Sequence, residues 1–210
     1  DKNIASCVKH FAAYGAPEGG REYNTVDMSE RRLREDYLPA YKAAVDSGCE
    51  LVMTSFNTVD GIPASGNKWL MRDVLREEWG FNGVIISDYA AIQELIAHGV
   101  AEDDREAAKL GIEAGVDIDM KTPVYSNQLE GLVKDGVISE ELIDEAVWRI
   151  LNLKNKLGLF ENPYRGANID KEKEVILSPE KRKLARKISG ESIVLLENNG
   201  VLPLSKIGRA

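Results

Sequence analysis

The chain has 210 residues, of which 43% are hydrophobic and 30% are charged, a composition that can fill a globular core. Its 35 acidic side chains outnumber its 27 basic ones, and no basic cluster is interleaved with aromatic residues, which argues against a nucleic-acid partner. No apolar run approaches the roughly 20 residues that a membrane-spanning helix needs, so no membrane partner is expected.

Four short apolar runs predict the strands of a sheet. In chain order they are IASCVKHF at 4–11, ELVMTSF at 50–56, GVIISDY at 83–89 and GVDIDM at 115–120. The segments between them have helical periodicity, and the first of these helices is predicted to begin after Ser29 and to end before Gly48. Strands that alternate with helices of this length are typical of βα units and a parallel sheet.

The order of these elements predicts an α/β fold built on half of a (β/α)8 barrel. A complete barrel of this type needs about 250 residues and eight strands, whereas only four runs occupy the first 120 residues. Two more helices extend the predicted barrel half to 1–157. A charged segment with Pro163 and Gly166 predicts a linker at 158–177, and a capped helix followed by IVLLENNGVLPL predicts the start of a second domain at 178–210.

Polar side chains stand where the predicted strands end. Lys9 and His10 close the first run, and Asp88 with its neighbour Tyr89 closes the third. Because the carboxyl ends of parallel strands lie on one side of the sheet, we expect these side chains to converge on a pocket. Lysine and histidine supply donors suited to sugar hydroxyls, phosphates or carboxylates, although the pair alone is equally typical of a surface.

Asp88 admits two interpretations. An aspartate before a helix commonly accepts backbone N–H bonds as an N-cap. Ser87 can fill that role instead, which leaves Asp88 as a rigidly held carboxylate suited to nucleophilic or general-base chemistry. Asp119 competes for the same role, but its place in GVDIDM also suits a buried carboxylate that neighbouring amides satisfy.

Motifs that bind a cofactor or a metal are missing from the sequence. The glycine-rich loop that contains Arg21 lacks the spacing of a dinucleotide or phosphate loop. His10 and His98 are the two histidines, and no metal-ligand spacing links them, so we expect no cofactor and no metal site. Cys7 and Cys49 lie in or beside apolar runs and are expected to be buried thiols.

Six motifs together resemble glycoside hydrolase family 3, in particular its bacterial β-glucosidase branch. They are KHFAAYG, GGREYN, MTSFNTVDGIPAS, LREEWGFNGVIISDY, AGVDIDM and ESIVLLENNGVLPL, in the family's order over nearly the whole chain. The resemblance implies the C-terminal half of a (β/α)8 barrel, a linker, and the truncated start of an α/β sandwich domain. It also implies a retaining, exo-acting β-glycosidase that removes terminal β-D-glucosyl residues.

The resemblance assigns roles to the polar strand ends. Asp88 matches the nucleophile that forms the glycosyl-enzyme intermediate, while Lys9 and His10 match residues that bind hydroxyls of the terminal sugar. Met53 and Phe56 match positions that line the same subsite, and many members carry tyrosine where Phe56 stands. Two further positions are implied in binding: Tyr89 as an aromatic wall, and Arg21 in a supporting role.

The resemblance also implies what else the reaction requires. The general acid/base is expected to be a glutamate of the second domain, outside this chain, so the chain alone is expected to have little or no turnover. The expected partners are β-glucosides or cello-oligosaccharides, and the rest of the enzyme or a second chain that completes the barrel. Two alternatives stay open: a barrel lyase or aldolase that uses Lys9, and a non-catalytic carbohydrate-binding half-barrel. The compartment is not specified.

Overall fold

A computed structural model of the protein describes residues 4–204, which divide into two units, 4–165 and 166–204. The strands are β1 (Cys7–Phe11), β2 (Thr25–Val26), β3 (Leu51–Thr54), β4 (Thr58–Val59), β5 (Ile62–Pro63) and β6 (Val84–Ile86). The helices of the first unit are α1 (Glu30–Arg32, Leu33–Tyr37 and Leu38–Asp46), α2 (Trp69–Glu78), α3 (Glu94–Ala97), α4 (Asp104–Ala114), α5 (Val124–Lys134) and α6 (Glu140–Lys156). The second unit contains α7 (Ile169–Val175) and α8 (Pro179–Ser192).

The central sheet is parallel and has the order β1-β3-β6. A helix connects each strand to the next, which confirms the predicted βα units and the α/β fold. The fourth predicted strand, 115–120, is not formed as such, because it contributes only a single parallel bridge from Ile118 to Ile86. Asp117 and Ile118 both donate backbone hydrogen bonds to the carbonyl of Ile85, so this run still lies along the edge of β6.

The two faces of the sheet are buried to different extents. Val52 and Ile85 pair across β3 and β6 and are fully buried, whereas Met53 and Ile86, on the opposite face, are half-buried. Cys7, on the edge strand β1, is exposed, so the prediction of a buried thiol at this position is wrong. Burial on this edge strand is uneven, because Phe11 packs against Tyr41 and Trp79 and is fully buried, whereas Cys7 lies at the other end of the strand.

The helices begin and end largely where the sequence predicts. Asp103 caps α4 by accepting from the backbone N–H of Glu106, and Ser139 caps α6 through Glu141. The helix predicted after Ser29 is α1, which is interrupted by a π-helical turn at Leu33–Tyr37. Helix α4 packs closely on α5 at Gly111, which has no side chain. A Cβ atom at this position would lie 2.6 Å from the Tyr125 hydroxyl oxygen.

A buried ionic network joins α2, α6 and the run after α4. Asp117 accepts from Arg76 at 2.7 Å, from Arg149 at 2.9 Å and from the backbone N–H of Ile85 at 2.8 Å. Burial lowers the pKa of Arg76 to about 10, with the Asp117 carboxylate opposing that shift. The guanidinium therefore remains charged at neutral pH and fixes the chain beside β6.

The second unit is helical in its first part and irregular afterwards. Helix α8 begins at Pro179 after the N-cap Ser178, as predicted. The apolar run IVLL is typical of a buried strand, but residues 193–204 are exposed and form no strand, since the described part of this unit offers no strand with which they could pair. Asn198 closes a turn there by accepting from the backbone N–H groups of Gly200 and Leu202. None of the helices described here is long and apolar enough to cross a membrane.

Candidate active site

Asp88 lies two residues after the end of β6 and is 9% exposed. Its Oδ1 accepts from the backbone N–H of Tyr89 at 2.7 Å, and its own backbone N–H donates to Thr54 Oγ1 at 3.3 Å. Helix α3 begins six residues later and takes no side-chain cap. Asp88 therefore does not cap a helix, and its carboxylate is held by the strand end instead.

The imidazole of His10 lies against this carboxylate. His10 Nε2 is 3.2 Å from Asp88 Oδ2, and the two side chains are 23% and 12% exposed. Burial lowers the pKa of His10 below its ordinary value, while the Asp88 charge opposes that shift and Lys9 supports it. His10 is thus neutral at pH 7, and the contact is a close approach of an uncharged imidazole to the carboxylate rather than an ion pair.

A bulge in β1 explains how the strand end presents His10. Val8 pairs with Val52 and Phe11 with Thr54, so β1 contains one residue more than β3 over this stretch. A bulge of this kind bends the strand and changes the direction of the side chains within it. The turned backbone is fixed by Tyr41, whose hydroxyl donates to the His10 carbonyl at 2.5 Å.

Hydrogen bonds between neighbouring loops hold the strand ends together. Ser55 Oγ and Asn57 Nδ2 both donate to the Ala12 carbonyl, which joins the ends of β1 and β3. Ser87 Oγ donates to the Asp88 carbonyl and accepts from the backbone N–H of Met120 at 2.8 Å. The backbone that carries the Asp88 carboxylate is therefore restrained by hydrogen bonds to neighbouring segments.

Aromatic rings form one wall beside His10. The Tyr14 ring lies 5.1 Å from the His10 ring and 6.1 Å from Phe56, and Phe56 lies 4.4 Å from Tyr23. Burial and the neighbouring Glu22 carboxylate raise the pKa of Tyr14 to about 12, so its hydroxyl stays protonated. Phe56 is a predicted site residue that the structure brings to this wall, whereas Tyr14 was missed, although it follows His10 by four residues in the KHFAAYG motif.

A second wall is formed by Tyr89 on the other side of Asp88. Tyr89 is 57% exposed, and the Nζ atom of Lys121 lies 5.1 Å from the centre of its ring. Lys121 was not predicted as a site residue. It reaches Tyr89 only because the 118–121 segment lies beside the end of β6, a contact that the sequence does not show.

The remaining predicted residues are less engaged. Met53 is half-buried in β3 and pairs with Ile86, two residues before Asp88. Lys9 is exposed and makes no hydrogen bond or ion pair within residues 4–204, although its charge contributes to the lowered pKa of His10. Arg21 is exposed, and its side chain makes no hydrogen bond or ion pair with the other predicted residues in the described part of the chain.

Two further carboxylates lie near the site. Asp119 accepts from the Thr122 hydroxyl at 2.6 Å and from the Tyr125 backbone N–H, so it serves the start of α5 rather than the strand end. Glu94 has a buried Oε2 atom with no hydrogen-bond partner among residues 4–204. Burial and the Asp88 charge raise the pKa of Glu94, and Lys121 opposes that shift. Its place at the start of a short helix gave no sequence signal.

A parallel α/β sheet with a carboxylate, an imidazole and aromatic rings at its carboxyl end defines an α/β enzyme domain. The family model described as glycosyl hydrolase family 3 N terminal domain matches residues 1–153, and the chain belongs to this family. The periplasmic beta-glucosidase of Salmonella typhimurium is 47% identical over 210 residues, which are 98% of this chain and 28% of that protein. A beta-xylosidase of Formosa agariphila is 38% identical and is matched over 29% of its length.

Solved structures agree with these relatives. A β-glucosidase from Listeria innocua in complex with glucose is 59% identical, with a TM-score of 0.89 over 96% of this chain and 28% of that one. A mutant of the Listeria innocua enzyme in complex with laminaribiose is 57% identical, with a TM-score of 0.90 over 97% of this chain and 28% of that one. The chain thus spans less than a third of the length of these relatives.

Proposed function

We propose that the protein containing this chain is a retaining, exo-acting β-glycosidase that hydrolyses terminal β-D-glucosyl residues, with Asp88 as its nucleophile. The observation that carries the proposal is the Asp88 carboxylate at the end of β6, 3.2 Å from a neutral His10 and without a cationic side chain in contact among residues 4–204. The glucose and laminaribiose complexes of similar proteins support a β-glucoside as the substrate.

The proposed reaction has two steps. An Asp88 oxygen attacks the anomeric carbon, the bond to the leaving oxygen breaks, and a general acid outside this chain protonates that oxygen. Water then attacks the same carbon, gives its proton to the same group acting as base, and releases Asp88 as a carboxylate. Retention requires the two carboxyl groups to lie about 5–5.5 Å apart.

The other predicted residues have supporting parts in this proposal. His10 holds one Asp88 oxygen, and Lys9 and His10 bind hydroxyls of the terminal sugar. Met53 and Phe56 line the same subsite, and two residues act at its edge: Tyr89 as an aromatic wall and Arg21 from its loop. The order β1-β3-β6, with the bridge at Ile118, supports the proposal that 1–157 is the C-terminal half of a (β/α)8 barrel.

The proposed organisation continues beyond the barrel half, with 158–177 as a linker and 178–210 as the start of an α/β sandwich domain. The charged helix α7 lies inside that linker, and residues 205–210 lie outside the described residues. The half-buried face of the sheet and its exposed edge at Cys7 support the expectation that other elements of the same protein, or a second chain, complete the barrel.

The decisive experiment is mass spectrometry of the intact full-length enzyme after incubation with a 2-deoxy-2-fluoro glucoside. A retaining enzyme accumulates the glycosyl intermediate, so we expect one covalent label on the peptide that contains Asp88. A label on the Asp119 peptide would overturn the nucleophile assignment. The absence of any label, together with borohydride trapping of a substrate on Lys9, would favour the lyase alternative.

A further inference from the structure

Lys121 and Tyr89 form a cation–π pair at the rim of the site. Lys121 Nζ lies 5.1 Å from the centre of the Tyr89 ring, within the roughly 6 Å over which an ammonium is attracted to a π face. Tyr89 is nevertheless 57% exposed. One face of the ring is therefore occupied by the cation, and the rest remains open to a ligand.

Backbone hydrogen bonds fix the two partners relative to each other. The Met120 N–H donates to Ser87 Oγ at 2.8 Å, and the Ala90 N–H donates to the Met120 carbonyl at 3.0 Å. Both bonds are made by Met120, the residue before Lys121, and their partners Ser87 and Ala90 lie on either side of Tyr89 in the chain. The pair is therefore set by the fold rather than by a chance meeting of two surface side chains.

The backbone on both sides of the pair has an uncommon conformation. Ala90 has φ 61° and Lys121 has φ 80°, in the left-handed region that side-chain-bearing residues adopt rarely. Strained residues of this kind cluster at binding and catalytic sites. Lys121 forms no ion pair or hydrogen bond within residues 4–204; its ammonium lies over the Tyr89 ring, and its charge also lowers the pKa of Glu94.

The surroundings indicate which part of a substrate meets this ring. His10 and Asp88 are largely enclosed, whereas Tyr89 stands at the open rim. An enzyme that removes terminal sugars holds the terminal unit in the enclosed part of its pocket and leaves the departing group nearer to solvent. The open part of the Tyr89 ring therefore faces the leaving group.

We propose that Lys121 is a positioning residue that sets leaving-group specificity: it holds Tyr89 as a platform on which a departing sugar stacks. This inference rests on the proposed β-glycosidase function. The apolar C–H face of a pyranose packs on an aromatic ring, and an ammonium on the opposite face limits the motion of that ring. Leaving groups that are sugars benefit from the platform, whereas a ligand that fills the terminal-sugar subsite alone does not.

The test uses the intact full-length enzyme and the variant Lys121→Met, which keeps the length of the side chain and removes its charge. With cellobiose as substrate we expect KM to rise about two- to fivefold, the range for an exposed cation–π contact, while kcat changes less than twofold. The inhibition constant of glucose, which fills the terminal-sugar subsite, is expected to stay within a factor of two. Lys121→Arg should restore the KM, because it keeps the cation.

Lys134→Met is the matched control, since Lys134 pairs with Glu130 on the exposed side of α5, away from the site. An unchanged KM in Lys121→Met, an equal rise in the glucose inhibition constant, or a failure of Lys121→Arg to rescue overturns the proposal. If Lys121→Met does not fold, Lys121→Gln carries the same expectations. Failure of the proposed function is a separate result, because wild-type enzyme would then release no glucose and form no labelled intermediate.

Discussion

Two aspartates beside β6 are both nearly buried, yet their surroundings differ. The Asp117 side chain is 1% exposed and contacts the guanidinium groups of Arg76 and Arg149 as well as a backbone N–H. The Asp88 side chain contacts a neutral imidazole and one backbone N–H, and no arginine or lysine contacts it among residues 4–204.

The difference separates a carboxylate that serves stability from one that is available for chemistry. Buried charge is tolerated where opposite charges and hydrogen bonds satisfy it, as they do at Asp117. Asp88 keeps unshared lone pairs on both oxygens, because Oδ1 accepts a single hydrogen bond and Oδ2 lies beside the His10 imidazole in the described structure. Exposure alone does not distinguish the two residues, whereas their partners do.

The largest expected effect is on catalysis, from Asp88→Asn in the intact enzyme. An amide cannot form the glycosyl intermediate, so kcat for an aryl glucoside should fall on the order of 10⁴-fold. The melting temperature should change little, since Asp88 does not neutralise a cation. A kcat within tenfold of wild type would remove the distinction between the two aspartates.

The second-largest effect is a loss of folding stability, expected from the substitution Arg76→Met. It leaves Asp117 with one guanidinium in place of two, and breaking a buried pair destabilises a protein by about 3–5 kcal/mol. Urea unfolding of the intact enzyme, followed by circular dichroism, measures the change. Lys134→Met removes an exposed cation and should unfold like wild type. If the two variants unfold alike, the Asp117 network is not structural.

A smaller loss of stability is expected from Gly111→Ala, which tests the packing that supports the Asp117 segment. The new methyl group would overlap the Tyr125 hydroxyl, which donates to the Val116 carbonyl just before Asp117. Overpacking of this kind costs about 1–3 kcal/mol. Gly190→Ala in α8 is the control, because its Cβ meets open space and alanine favours a helix. Equal melting temperatures for the two variants would contradict the close packing of α4 on α5.

The smallest effect is a shift in the pKa of His10, followed by nuclear magnetic resonance of the labelled imidazole. Asp88→Asn removes a charge that favours the imidazolium, so the pKa of His10 should fall further below its ordinary 6.5. Since folding favours the neutral form, the stability contributed by His10 is present above pH 6.5 and declines as the pH falls from there towards the folded pKa. A pKa that rises in Asp88→Asn would show that the two side chains are not in contact.

The sequence by itself determined the α/β class, the family and most of the helices. Ser139 and Asp103 mark their helix starts through local hydrogen bonds that any chain with these residues can form. Asp88 was singled out because an ionisable residue directly after an apolar run is a local pattern. The family followed from motifs that are contiguous in the chain.

Only the tertiary structure decided which groups meet. The bulge that presents His10, the pairing of Lys121 with Tyr89 and the two arginines on Asp117 join residues about 30 to 45 positions apart in the chain. The runs at 115–120 and 193–204 have strand-like composition, but a strand forms only where another strand supplies hydrogen-bond partners along its length. Composition is local, whereas pairing and charge neutralisation depend on distant segments that the fold brings together.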